Sequence, residues 1–185
     1  MATMILLPES DSLTSSHWVV VGAGLSQRWE ALEDDNGSTS YVKCNDDNAG
    51  MTIVFANPSV AEAGINFDET VSVRFLSSGK AVHRSNPSLV DIAFASPTSG
   101  FSESCSYNAH RTNFETINGT ARTTHDGSHP WAYANLEALE MLCTKDDEGG
   151  PSVIEVYLSY LALEVTYTPT VAISADNATF FGANF

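Results

Sequence analysis

Positive charge is scarce in this chain. Its 185 residues hold 8 Lys and Arg against 23 Asp and Glu, a formal net charge of −15. Binding to a phosphate backbone needs clustered Lys and Arg, so nucleic acid is excluded as a partner. An anionic membrane surface is disfavoured for the same reason. Cysteine is also sparse. Cys44, Cys105 and Cys143 are an odd number with no CxxC pair, which argues against both a disulfide framework and a zinc ribbon. They are expected to be buried thiols. No apolar run approaches the roughly 18 residues that span a bilayer. Met1 to Pro8 has no basic region ahead of its apolar residues, so an export signal is not expected and synthesis in a cytoplasm is.

Charged residues amount to only 17%, so the acidity is carried on a surface otherwise rich in Ser, Thr and Asn. Hydrophobic residues reach 43%, an ordinary globular share. A chain of this length can bury about 70% of its unfolded surface and needs neither metal nor disulfide to be stable.

Helix signals are few and strand signals many. Trp18 to Val21 is a short apolar run, and Thr52 to Ala56 sets Ile53 and Phe55 on one face. From Glu69 to Leu76, Val71, Val73 and Phe75 alternate with Ser72 and Arg74, the period of two of a half-buried strand. Val90, Ile92 and Phe94 repeat the pattern, Cys105 and Tyr107 do so more weakly, and Thr112 to Ile117 carries Phe114. Val153 to Tyr167 is the longest strand signal. Ile154, Val156, Leu158 and Tyr160 share one face, then the apolar set changes phase to Leu161, Leu163, Val165 and Tyr167. A phase change within a strand predicts a β-bulge or a bend between sheets, and apolar residues on both faces predict a central strand. Asn36-Gly37, Asn118-Gly119 and Asp126-Gly127 are tight-turn dipeptides. Pro58, Pro87, Pro97 and Pro151 fall at strand edges or in loops. A short helix is predicted around Ala132 to Ala138, followed by a strand through Met141 to Thr144.

The predicted fold is all-β: an antiparallel β-sandwich or jelly roll of about eight strands, with one short helix and extended terminal arms. The boundaries are an arm at residues 1–16, the sandwich at 17–168 and a second arm at 169–185. Aromatics in the tail are costly to leave in water, so they are expected either to fold back on the domain or to dock on a neighbour.

Catalytic patterns are lacking. There is no GxSxG and no phosphate-binding loop. Val21-Gly22-Ala23-Gly24-Leu25 lacks the third glycine of a dinucleotide fingerprint. His125 and His129 flank Asp126-Gly127-Ser128, and the turn dipeptide between them predicts a surface loop rather than two ligands on one helix face. The carboxylate groups Glu33-Asp34-Asp35, Asp46-Asp47 and Asp146-Asp147-Glu148 are dense in hard oxygen ligands without EF-hand spacing, and solvated turns are expected. No metal or cofactor is assigned, calcium being the cation that such turns would suit. A glycosidase needs two carboxylates facing each other across a groove, and no pair stands out. Asn36-Gly37-Ser38, Asn118-Gly119-Thr120 and Asn177-Ala178-Thr179 match the glycosylation sequon but read as turns.

In order and pattern the chain resembles, over residues 15 to 168, a β-sandwich module of the structural proteins of tailed bacteriophages. The resemblance lies in Trp18 within SSHWVVVGAG, and in the stretch Trp29-Glu30-Ala31-Leu32-Glu33-Asp34-Asp35 with Ser38-Thr39-Ser40-Tyr41-Val42. It continues in the strand Glu69-Thr70-Val71-Ser72-Val73-Arg74, in the Trp131 to Leu139 element and in the closing strand to Tyr167. The tail after Tyr167 lies outside the pattern. The resemblance implies a virion component, a capsid decoration or cement protein or a fibre subunit. Such a protein would bind capsid or tail proteins of the same virion as a homo-oligomer, with no catalytic residues. Ile5, Leu6, Leu7, Phe180, Phe181 and Phe185 are the expected partner-binding anchors. The alternative is a carbohydrate-binding module that adheres to host-surface glycans, with Trp29, Trp131 and Tyr133 as its sugar-stacking rings.

Overall fold

The computed structural model describes residues 1–13, 17–33, 39–46, 49–82, 89–95, 102–108, 113–137, 139–146 and 155–170. They form two antiparallel sheets packed face to face. One sheet holds β1 (Ala2–Leu6), β3 (Trp18–Val21), β4 (Tyr41–Cys44), β6 (Ser72–Val82), β9 (Glu115–Asn118) and β11 (Glu155–Tyr167). The other runs in the order β2 (Pro8–Leu13), β5 (Gly50–Phe55), β10 (Glu140–Asp146), β7 (Leu89–Ala95) and β8 (Ser102–Asn108). The expected all-β sandwich is therefore the fold, with more strands than the eight expected.

The thirteen-residue β11 organises the first sheet. Along one edge it pairs with β6 from Glu155 to Thr166. Along the other, β4 takes Val156 to Leu158 and β1 takes Leu163 to Tyr167. Between those two partners the backbone of Leu161 donates to the carbonyl of Leu32 at 3.0 Å, so a loop closes the gap in the edge. The expected central strand and bulge are both present. The register against β6 slips between Leu158 and Tyr160, where Ser159 is the extra residue. Val156 and Leu158 are fully buried ahead of the slip, and Leu161, Leu163, Val165 and Tyr167 are buried after it. Tyr160, expected with the first set, is only half-buried, because the bulge turns it to the other face. Ser159 itself is buried, and its hydroxyl reaches the carbonyl of Ser78 at 3.4 Å.

Inner side chains alternate as the pleat requires. Met51, Ile53 and Phe55 of β5 and Met141 and Cys143 of β10 face Val73, Phe75 and Ala81 of β6 and the inner row of β11. Trp18 is fully buried, and its indole N–H crosses to the carbonyl of Ala49 at 2.9 Å. Cys44 and Cys143 are buried thiols, as expected. Strands β7 and β8 lie where the sequence placed them, while the facing of Val90, Ile92, Phe94, Cys105 and Tyr107 lies outside the described residues.

The N-terminal segment differs from expectation. Residues set apart as an arm are strands of both sheets. The chain leaves β1 in the first sheet, turns at Leu7 and enters β2 in the second. The physical reason is the alternation of Met4 and Leu6, which are buried beside β11. The helix is also shorter than expected. The α1 helix spans Tyr133–Leu136, with the side-chain oxygen of Asn135 accepting from the backbone of Ala132 at 3.0 Å.

Deleting Ser159 is expected to leave a folded sandwich, since a regular ladder would then keep Leu161, Leu163, Val165 and Tyr167 inward. Deleting Ala162 throws the last three of these outward and is expected to abolish cooperative unfolding. Urea midpoints of the two deletions compare them directly.

Candidate functional site

Strand β9 runs beside β6 from Gly79 to Leu76. Beyond β9 the pairing continues: the backbone of Gly119 donates to Phe75, and Arg122 and Val73 exchange bonds at 2.8 and 2.9 Å. Past this point the two segments part, and the gap between them is an open cleft of about 360 Å³. Its first wall is Phe67, Asp68, Glu69, Thr70 and Val71, the approach to β6. Its second wall is Thr123, Thr124, Pro130 and Trp131. Asp68, Glu69 and Thr70 are exposed, and Phe67 is half-buried. The backbone of Asp68 is fixed by the side chain of Asn66, which accepts its N–H at 3.1 Å.

The rings expected to stack on a sugar are distributed differently from the expectation. Trp131 is buried, 3% exposed, and its indole N–H donates to the carbonyl of Arg122 at 2.9 Å. It lines the second wall with little of its surface in water. Tyr133 is half-buried and meets Phe67 edge-on, with centroids 6.5 Å apart. Trp29 belongs elsewhere, in the 3-10 turn Trp29–Ala31 packed on β2. That turn is held by Asp11, whose carboxylate accepts from the backbones of Arg28 and Trp29 and from the Arg28 guanidinium at 2.9 Å. The Arg28 side chain also donates to the carbonyl of Trp18 at 2.8 Å. Tyr133 thus meets Phe67, Trp131 lines the same cleft as Phe67, and Trp29 is held apart by a polar staple.

The expected partner-binding anchors also divide. Leu6 is 1% exposed and belongs to the core, so it cannot reach a neighbour. Ile5 and Leu7 are 42% and 36% exposed. Phe180, Phe181 and Phe185 lie outside the described residues.

Beside the cleft, residues 125–129 form a closed loop. Thr124 and Pro130 make an antiparallel bridge, and the backbone of His125 donates to His129 at 2.9 Å. Gly127, at φ 83°, turns the chain where an L side chain would be strained. One Asp126 carboxylate oxygen accepts from the backbones of Ser128 and His129 at 2.9 and 2.7 Å, and the other meets the His129 ring at 2.7 Å. These bonds, the backbone N–H of His129 first among them, hold the Asp126 carboxyl well below the usual carboxylate range. The segment is a surface loop, as expected. The histidines are not on a helix face, and the turn loops them together, with ring centroids 5.9 Å apart.

Sequence reasoning did not single out Phe67 to Thr70 or Thr123 and Thr124. Their signal is slight: a polar stretch just before one strand and just after another. It also missed a cluster on the outer face of the first sheet. There Tyr41 packs on Tyr157 and Phe114 with centroids 5.3 and 6.1 Å apart. The Lys80 ammonium lies 4.8 Å from the Phe114 centroid and 5.0 Å from that of Tyr157. Burial, followed by the hydrogen bond to Glu155, pushes the Tyr157 hydroxyl pKa upward. Aromatics at the outward phase of β4 and β11 were the available sign.

The fold defines the chain as an antiparallel β-sandwich. No family model matches it, and no curated protein matches it. Among solved structures it is similar in shape to TmCBM61, solved with β-1,4-galactotriose, at 11% identity and a TM-score of 0.43, covering 83% of this chain and 85% of that one. It is also similar to CBM29_1, a family 29 carbohydrate-binding module from Piromyces equi, at 12% identity and a TM-score of 0.35, covering 89% and 91%. The family 30 carbohydrate-binding module of a Clostridium thermocellum cellulosomal cellulase matches at 7% identity and a TM-score of 0.36, covering 88% and 92%. At these values the likeness transfers no ligand and no residue role to this chain.

Replacing Trp131 with Ala is expected to cost about 3–5 kcal/mol of stability, the loss of a buried aromatic. A surface ring would cost far less, and thermal or urea unfolding reads the difference.

Proposed function

We propose that this chain is a saccharide-binding β-sandwich module and that the cleft between Phe67–Val71 and Thr123–Trp131 receives the sugar. The observation that carries this reading is the asymmetry of the two walls. Asp68 and Glu69 stand side by side on the first wall, and the second wall has hydroxyls and rings but no carboxylate. Hydrolysis of a glycosidic bond needs carboxyl groups on opposite sides of it. Binding needs only what is present: acceptors for sugar hydroxyls, threonine hydroxyls that donate or accept, and apolar surface from Phe67, Pro130 and Trp131 for the C–H groups. The volume, about 360 Å³, lies at the small end of ligand pockets, which run from roughly 300 to 1,000 Å³, and suits a short saccharide unit rather than a long chain.

A glycan array, followed by titration calorimetry on the best ligand, tests this. Asp68→Ala and Glu69→Ala, both at exposed positions, are expected to weaken binding about tenfold each, or about 1.4 kcal/mol. Tyr41→Ala on the outer face is expected to leave it unchanged. Loss with Tyr41→Ala and retention with the other two would move the site to the outer sheet face.

A second reading, a virion component that grips neighbouring subunits, is favoured by one observation. Ile5, Leu7 and Val19 are exposed apolar residues on the β1 and β3 side of the molecule. On this reading the full chain self-associates, and both the double substitution Ile5→Ser with Leu7→Ser and removal of residues 169–185 reduce its mass in solution. Light scattering that finds a monomer in every case disposes of it.

A further inference from the structure

The loop beside the cleft gathers three groups that the glycan reading does not use. Each of His125, Asp126 and His129 offers one ligand atom, and these atoms all lie within 4.8 Å of one another. We propose that they form a binding site for a transition-metal dication of the zinc class. Two imidazoles and a carboxylate are the donors that zinc and its first-row neighbours prefer, whereas calcium and magnesium take oxygen ligands alone.

The loop is built before any ion arrives. The Thr124–Pro130 bridge fixes its base, the backbone bond between His125 and His129 fixes its width, and Asp126 ties two backbone N–H groups across it. Three ligands are therefore held near one another without a further ordering cost, which is the usual obstacle to metal binding by a short loop. A tetrahedral zinc site places its ligand atoms about 3.3 Å apart, given bonds of roughly 2.0–2.1 Å. Closing from within 4.8 Å to that spacing needs side-chain rotation and no movement of the loop base.

A second observation points to the same place. Nδ1 of His125 is shielded from solvent and has no hydrogen-bond partner among the described residues. An imidazole nitrogen left this way forfeits the bond that a buried polar atom normally makes. Its ring is hemmed by His129 on one side and by Trp131, 6.1 Å away, on another. Rotation of the two rings toward a shared ion would pair it. The carboxylate makes the three-ligand set anionic, and the −15 net charge of the chain draws cations toward it. Three protein ligands leave a fourth position to water.

Titration of the full chain with zinc chloride, without sugar, reads this independently of the glycan proposal. One zinc per chain with micromolar affinity is expected, and cobalt(II) should give the visible absorption of a tetrahedral complex. His129→Asn, at an exposed position, and His125→Asn should each weaken binding at least tenfold, with far-ultraviolet circular dichroism unchanged in the metal-free state. His17→Asn, which alters the separate His17–Asp46 pair at 2.9 Å, should not weaken it. If His125→Asn fails to fold, His129→Asn alone decides. Zinc affinity unaltered by His129→Asn, equal competition by calcium, or no saturation short of millimolar zinc would overturn the proposal.

Discussion

The first sheet is held by one long strand whose inner face must stay apolar on both sides of a slip in phase. A pleat presents alternate residues to opposite faces, so a thirteen-residue strand with a regular ladder can bury only one parity. In β11 the buried residues change parity between Leu158 and Leu161. If Ser159 were paired in a regular ladder instead of bulged, the side chains from Leu161 to Tyr167 could be inward only at the expense of those before them. Four such side chains facing water would cost on the order of 10 kcal/mol, comparable to the whole stability of a domain. The bulge removes this conflict. The opposite edge of β11 is divided, with β4 and β1 each taking one end and the carbonyl of Leu32 satisfying the backbone of Leu161 between them.

The cleft and the loop beside it follow from where pairing stops. Bonds between β6 and the β9 segment continue as far as Val73 and Arg122, and beyond that the backbones separate. Backbone groups released at such a point need other partners. Here they find them locally: Asn66 fixes the backbone of Asp68 and Asp126 closes its own turn, while the Trp131 indole adds a second bond to the Arg122 carbonyl that already accepts from Val73. These bonds keep a polar gap open and its walls ordered. A concave surface and a set of potential ligands thus sit together at one end of a strand pair.

Much of the scaffold was legible in the residues. The alternation of Val71, Val73 and Phe75 gave the facing of β6, and the phase change after Tyr160 gave the bulge. The N-terminal strands were overlooked because Met4 and Leu6 are too short a run to separate from a loosely attached arm until β11 is beside them. The candidate site was less legible. Trp131 looked like a sugar-stacking ring, since an aromatic before a short helix carries no mark of the carbonyl that buries its N–H. His125 and His129 read only as parts of a surface loop, because a turn dipeptide tells where the chain reverses and not that a bridge at Thr124 and Pro130 will hold its two arms together.

By itself the sequence determined the class of fold, the acidic surface, the strand phases and the break in the longest strand. Each depends on neighbours within a few residues along the chain, where the pleat makes facing a matter of counting. Only the tertiary structure decided which strand edges part to make the cleft, which aromatics are walls rather than surfaces, and which histidines meet. Those are distances between segments far apart in the chain, set by how two sheets close on a shared core, and local periodicity carries no record of them.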